Sequence, residues 1–205
     1  MIFEIFRKEF FHQICFTPNQ VYTWHPGFDK NNLGRWVKNG YLIKLKNGFY
    51  IFSEWQDTPN IHLYIANRMY RPSYISLHTA LAFHGLIPEA ITAVTSVSTR
   101  KTVRFENALG SFSYKKLKNN LFFGYAHLPF TEGRTVLLAT PEKALLDLLY
   151  FYPFYNTENE LINLRLDEDV LAGLINKDQF LKFLVRFESK ALNRRAHLLL
   201  KSYVL

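Results

Sequence analysis

The stretch LGRWVKNGYLIKLKNGFYIF, Leu33 to Phe52, leaves few backbone solutions. A short segment with an apolar stripe stops at Gly40, the residue type that closes helices in the left-handed conformation. Next comes a run that alternates Leu42, Lys44 and Lys46 against Ile43 and Leu45. Asn47-Gly48 then supplies the pair that favours a type I′ turn, whose twist matches that of the flanking strands. The stretch predicts a helix, a stop and a two-stranded hairpin. Two readings fit it: a DNA-reading helix with its wing, or an ordinary helix and hairpin in a small mixed domain.

The preceding residues supply two more helices. Phe3, Phe6, Phe10, Phe11 and Ile14 recur with helical spacing over Phe3 to Phe16. Thr17-Pro18 is a helix N-cap followed by proline at the first helical position, which predicts a helix from about Pro18 to Trp24. HPGFDKNN is turn material, and Asp29 or Asn31 caps the third helix, which carries Leu33, Trp36 and Val37 inward. The first fifty residues therefore read as three helices and a hairpin.

After Asp57-Thr58-Pro59, the spacing of Ile61, Tyr64, Ile65 and Met69 predicts a helix, and Ser73 to His84 predicts another, closed by Gly85. AVTSVST, TVRFEN, GSFSYKKL, LFFGYAHL and RTVLLA are five strand-like runs with short turns between them, the pattern of an antiparallel sheet. A strong helix begins at Thr140-Pro141-Glu142 and runs to about Tyr152, and three more follow Pro153. The expected fold class is α+β. It comprises a winged helix-turn-helix over residues 1–56 and, over 57–205, a mixed domain with an antiparallel sheet, flanking helices and a helical C-terminus.

Aromatic residues make up 17% of the chain, enough for a well-packed core. VLLATPEKALLDLLYF, the longest apolar tract, is broken by Pro141, Glu142, Lys143 and Asp147 and falls short of a membrane span. Glu4, Arg7, Lys8 and Glu9 interrupt what would be the apolar region of a secretory signal, so the expected compartment is the cytoplasm. Cys15 is the only cysteine, which excludes an internal disulfide and a cysteine-based metal site. The net charge of +8 favours a polyanionic partner, and both parts of the chain are basic, so charge does not single out one end.

Candidate contact residues follow from side-chain type. Asn31, Asn32, Arg35 and Lys38 lie on the polar side of the third helix, and Lys44 and Lys46 on the hairpin. An arginine can read guanine and an asparagine adenine through paired hydrogen bonds, and hairpin lysines reach phosphates. The plain alternative is a solvated helix face. A second basic group, Arg100, Lys101, Arg104, Lys115, Lys116 and Lys118, is countered only by Glu106 and could bind nucleic acid or an acidic protein. Arg186, Lys190, Arg194, Arg195 and Lys201 interleave with apolar residues near the C-terminus, either as a docking surface or as a helix packed on its own domain. Chemistry finds little purchase. His78 and His84 are six apart, off any one helix face, and HExxH, a phosphate-cradling glycine loop and a serine-centred elbow are all missing. Glu142 and Asp147 suggest a metal pair only superficially, since Glu142 suits the first turn of a helix. A non-enzymatic chain without cofactor or metal is expected.

YISLHTALAFHGLIPE (74 to 89), TSVSTRKTVRFENALGSFSYKKL (95 to 117), LFFGY (121 to 125) and ATPEKALLDLLYF (139 to 151) together resemble the AbiEi family, antitoxins of type IV abortive-infection toxin–antitoxin systems that act in phage defence. The resemblance spans nearly the whole chain. It implies a two-domain bacterial transcriptional regulator whose winged helix binds repeats in its own promoter and represses the operon. The second domain would counteract a nucleotidyltransferase-like toxin without needing a stable complex with it. Carried over by position, Arg35, Lys38, Lys44 and Lys46 would meet operator DNA, and Arg100, Lys101 and Arg104 would serve the antitoxin activity. A homodimer would match a repeated site, though nothing in the sequence fixes its interface. The alternative reading is an orphan winged-helix regulator, or a protein- or RNA-interaction module with no toxin partner.

Overall fold

A computed structural model describes residues 2–88 and 93–203. The chain is α+β. Its N-terminal part runs α1 (Phe3–Phe10), β1 (Cys15–Phe16), α2 (Pro18–Trp24), α3 (Asn31–Lys38), β2 (Leu42–Lys46) and β3 (Phe49–Phe52). The first helix is shorter than expected. After a 3-10 turn, Ile14 sits at φ +63°, a conformation costly for a β-branched residue, and the chain leaves the helix as β1. β1 pairs with β3, so the hairpin belongs to a three-stranded antiparallel sheet of order β1-β3-β2.

The predicted caps have physical partners. Thr17 accepts a hydrogen bond from the Gln20 backbone N–H while the Gln20 side chain returns to Thr17, a reciprocal capping box. Gly40, at φ +77°, closes α3: its N–H reaches the Val37 carbonyl at 3.1 Å and the Tyr41 N–H reaches that of Trp36 at 2.9 Å, the paired bonds of a Schellman motif. The hairpin turn departs from expectation. Gly48 is left-handed at φ +67° but Asn47 is not, whereas type I′ needs positive φ at both. A register shift between Lys44 and Lys46 accommodates the difference.

The second part contains α4 (Ile61–Met69), β4 (Ser73–Ile75), α5 (Leu77–Phe83), β5 (Ala93–Ser98), β6 (Val103–Asn107), β7 (Gly110–Lys116), β8 (Tyr125–Pro129), β9 (Thr135–Ala139) and α6 (Pro141–Phe151). Four helices follow: α7 (Glu158–Ile162), α8 (Glu168–Leu174), α9 (Lys177–Val185) and α10 (Lys190–Ser202). The sheet is mixed rather than antiparallel. Its order is β6-β7-β5-β4-β9-β8, with β5–β7 and β4–β9 parallel. β4 lies inside the segment expected to be wholly helical, and LFFG is the end of a 3-10 segment followed by irregular backbone ahead of β8 rather than a strand.

Strand alternation assigns the two faces of this sheet. The Tyr114 hydroxyl donates to the Ala66 carbonyl of α4 at 2.8 Å on one side, and the Tyr74 hydroxyl donates to Asp147 of α6 at 2.8 Å on the other. α6 is the hub of the helical layer. Thr140 caps it, as expected, and eight of its side chains, Glu142 to Leu149, are buried against α5, α9 and α10. Two of these are a fully buried ion pair. The Lys143 ammonium reaches Asp147 Oδ1 and the Tyr74 hydroxyl (2.9 Å), while Asp147 Oδ2 accepts from Tyr74 and from Ser76 (2.8 Å each). Burial pushes Lys143 below the ordinary lysine range, opposed by Asp147, and holds the Tyr74 phenol well above its usual value. Glu142 instead accepts the Asn176 backbone N–H at 3.0 Å, so it and Asp147 serve different partners.

Contacts cross the expected boundary between residues 56 and 57. Buried apolar residues form one cluster from Phe6 to Leu200. β2 lies against β6, where the Asn107 side chain donates to the Leu45 carbonyl at 3.0 Å, and Arg134 donates to the His12 carbonyl. Among the described residues, no helix is long and apolar enough to cross a membrane.

Candidate nucleic-acid interface

α3 presents two faces because its buried side is fixed by aromatics. Leu33 and Trp36 are buried, with the Trp36 ring 4.6 Å from Phe6, 5.3 Å from Phe3 and 5.8 Å from Phe28. Neither expected cap holds the N-cap position of α3, which is Lys30, but Asp29 accepts the Asn31 N–H at 2.9 Å just ahead of the helix. This rotation leaves Asn31, Arg35 and Lys38 exposed. Asn32 does not join them: it is only 5% exposed, and its Oδ1 accepts from the Arg35 guanidinium at 2.9 Å. Burial turns Asn32 from a base reader into a support that orients Arg35.

The two hairpin lysines also separate. Lys44 is exposed at the rim of an open cleft of about 730 Å³ that Val37, Gly40, Glu54 and Asp57 also line. Lys46 turns inward beyond the register shift. Its ammonium donates to the Met69 carbonyl and lies 5.0 Å from the Phe105 ring and 5.8 Å from that of Tyr70. Burial, and secondarily the charge of Arg100, lower its pKa. Lys46 is therefore a link between the hairpin and the sheet rather than an exposed phosphate contact.

The second basic group does not form one face. Arg100 is exposed with its guanidinium 4.7 Å over Tyr70, the ring that Lys46 also approaches. Lys101 is exposed, and its carbonyl accepts the Tyr70 hydroxyl at 2.9 Å. Arg104 pairs with Glu106 at 2.7 Å. Strand alternation turns Lys115 onto the helical layer, 4.6 Å from the Tyr152 ring, while Lys116 and Lys118 remain exposed. Arg195 is buried and donates to the Leu149 carbonyl at 3.1 Å, which makes α10 a packed helix on that side.

Electrostatically, the useful observation concerns counter-charges. Among the described residues, none of Arg35, Lys38, Lys44, Arg100, Lys101, Lys116 and Lys118 has a carboxylate within salt-bridge distance. Cations on a surface without internal partners are open to an external polyanion. The shared use of Tyr70 by Lys46 and Arg100 was invisible in the sequence, because only the tertiary fold brings residues 46 and 100 together. No group of three or more His, Cys, Asp or Glu side chains that could hold a metal occurs among the described residues. The chain matches no protein-family model and has no significant match among curated proteins.

Proposed function

We propose that this protein is a DNA-binding transcriptional autorepressor that also acts as the antitoxin of a type IV toxin–antitoxin operon. The observation that carries the DNA-binding half is the exposed row Asn31, Arg35 and Lys38 on α3, accompanied by Lys44 on β2 and free of carboxylate partners. The order α1-β1-α2-α3-β2-β3, with the hairpin completed to a three-stranded sheet by β1, supports a winged helix-turn-helix reading in which α3 enters the major groove and the hairpin flanks it. The antitoxin half rests on the family resemblance and on the exposed cations Arg100, Lys101, Lys116 and Lys118. Operator DNA is the direct partner. A nucleotidyltransferase-like toxin is a functional one, and the site of action is the cytoplasm.

Binding of the full chain to duplex DNA from immediately upstream of its gene, measured by fluorescence anisotropy across a salt series, tests the first half. Lys44→Ala should flatten the log–log salt slope by about one unit, and Arg35→Ala should weaken binding by roughly tenfold and relax preference at one base position. Parent-like binding by both variants would reject the assignment of reader and wing. For the second half, the full chain is co-expressed with the adjacent toxin gene. Growth as poor with it as without it would reject the antitoxin assignment.

A further inference from the structure

Gly34 occupies the fourth position of α3, where a glycine is costly and nothing in the fold asks for one. Its φ is not left-handed, and a Cβ built there would meet no atom within 4 Å. An alanine would favour the helix and fit the space. The glycine faces an open notch of about 420 Å³ lined by Pro18 and Tyr22 of the α2 segment, Lys30, Asn31 and Leu33 of the α3 segment, and Tyr50 of β3. The notch walls are held from behind. Tyr22 meets Phe28 edge-on at 6.2 Å, and Tyr50 stacks on Phe16 at 6.0 Å. Neither phenol hydroxyl has a hydrogen-bond partner among the described residues.

We propose that this notch seats the sugar–phosphate backbone of one DNA strand, with Gly34 giving the strand room to touch the helix backbone. The proposal rests on the DNA-binding reading above and goes beyond it by adding a backbone site of which Asn31 alone was among the contact residues. A phenol hydroxyl, an ammonium and a carboxamide are donors of the kinds that hold phosphates and fix the protein's register on the duplex. Close approach to a backbone is a standard reason for glycine, and a methyl group at Gly34 would stand in the path of the strand. Tyr22, Lys30, Asn31 and Tyr50 would then set how deeply α3 sits in the groove, while Arg35 and Lys38 make contacts further along the same helix.

The test uses the full chain, the upstream duplex and Gly34→Ala, with Tyr22→Phe and Tyr50→Phe as companions. Gly34→Ala should raise the melting temperature by about 2 to 4 °C, because it removes a helix penalty without creating a clash. The same variant should bind the duplex at least about fivefold more weakly. Each phenylalanine variant should keep its fold and lose roughly threefold or more in affinity, as one phosphate hydrogen bond disappears. A variant that is more stable yet binds less well is the signature of a glycine kept for a ligand. Parent-like affinity in Gly34→Ala overturns the notch and leaves the DNA-binding reading standing, and a lowered melting temperature overturns it by showing that the glycine serves the fold. Failure of the parent to bind the duplex overturns both readings. Tighter binding of an RNA duplex of the same sequence, with the same loss on Gly34→Ala, overturns the DNA assignment.

Discussion

Asp147→Ala removes the one carboxylate that partners Lys143 among the described residues, a lysine sealed inside the helical layer, and its cost can be bounded. Both side chains of the pair are fully buried, and the Lys143 ammonium lies 4.9 to 5.4 Å from the rings of Phe187, Phe123 and Tyr74. Without Asp147, its remaining hydrogen-bond partner among the described residues is the Tyr74 hydroxyl. The charge on an unpaired buried lysine cannot cost more than shedding its proton, which at pH 7 is about 1.36 kcal/mol for each of about 3.4 pH units, or roughly 4.6 kcal/mol. The Tyr74 and Ser76 hydroxyls lose their acceptor as well, at about 1 kcal/mol each. The expected loss is about 4 to 6 kcal/mol, a large share of the roughly 5 to 15 kcal/mol that holds a domain together.

At pH 9 the ceiling on the lysine contribution falls to about 1.9 kcal/mol. In the variant the unfolded lysine keeps its proton up to its ordinary pKa while the folded one gives it up earlier. The unfolded state therefore binds more protons, and stability rises with pH through that window. Urea denaturation followed by circular dichroism at pH 7 and pH 9, comparing midpoints at unchanged slope, measures both effects. A loss below about 1 kcal/mol at pH 7, or a loss that does not shrink at pH 9, would refute the account of a buried charge held by one partner. The apolar replacement Lys143→Met, Asp147→Leu, Tyr74→Phe and Ser76→Ala should come within about 2 kcal/mol of the parent, since it removes all four polar groups together.

Three other outcomes follow from the same geometry. Gly124→Ala should destabilise by about 2 to 4 kcal/mol in urea titration, because Gly124 is left-handed at φ +72° and a Cβ there would lie 3.0 Å from Lys143 and Phe183. Lys46→Met should leave DNA affinity within about twofold of the parent, in contrast to Lys44→Ala, because the Lys46 ammonium is occupied by Met69 and the surrounding rings. Burial pushes the Cys15 thiol up to about 11 from 9.0, so the folded state keeps a proton the unfolded state loses. Stability should therefore fall by up to about 1.4 kcal/mol per pH unit between pH 9 and 11, and Cys15→Ala should remove that share of the slope.

Local signals in the sequence located what depends on near neighbours. Thr17-Pro18, Thr140-Pro141 and Gly40 mark helix ends through bonds made within a few residues, and those ends lie where the residues place them. The elements it hid depend on distant partners. β1 and β4 have only two and three residues, too short for any periodicity, and exist because β3, β5 and β9 pair with them. The parallel pairs were equally silent, since a strand's residues look the same whichever way its neighbour runs. At the candidate site, side-chain type identified Asn31, Arg35, Lys38 and Lys44, which are exposed. It misplaced Asn32 and Lys46, because one residue of helix rotation and one register shift decide whether a polar group faces water. The notch at Gly34 had a faint signal, a glycine inside a helix, with no indication of what it faced.

The contact between β2 and β6 bears on what happens when the chain is cut. β6 ends the six-stranded sheet, and its outer side offers unpaired backbone groups to any passing strand. The hairpin packs against β6, anchored through Asn107 and Lys46, and Arg104 and Glu106 put charge on that strand. With the hairpin packed on β6, the N-terminal part is expected to limit access of a second copy to that strand. A fragment beginning after residue 56 would bare both the rim and the apolar surface beneath it, and would tend to precipitate as copies pair edge to edge. On the proposed function, a fragment that failed as an antitoxin could owe that to the bared sheet as readily as to the lost helix α3, and point substitutions in the intact chain are the means of telling the two apart.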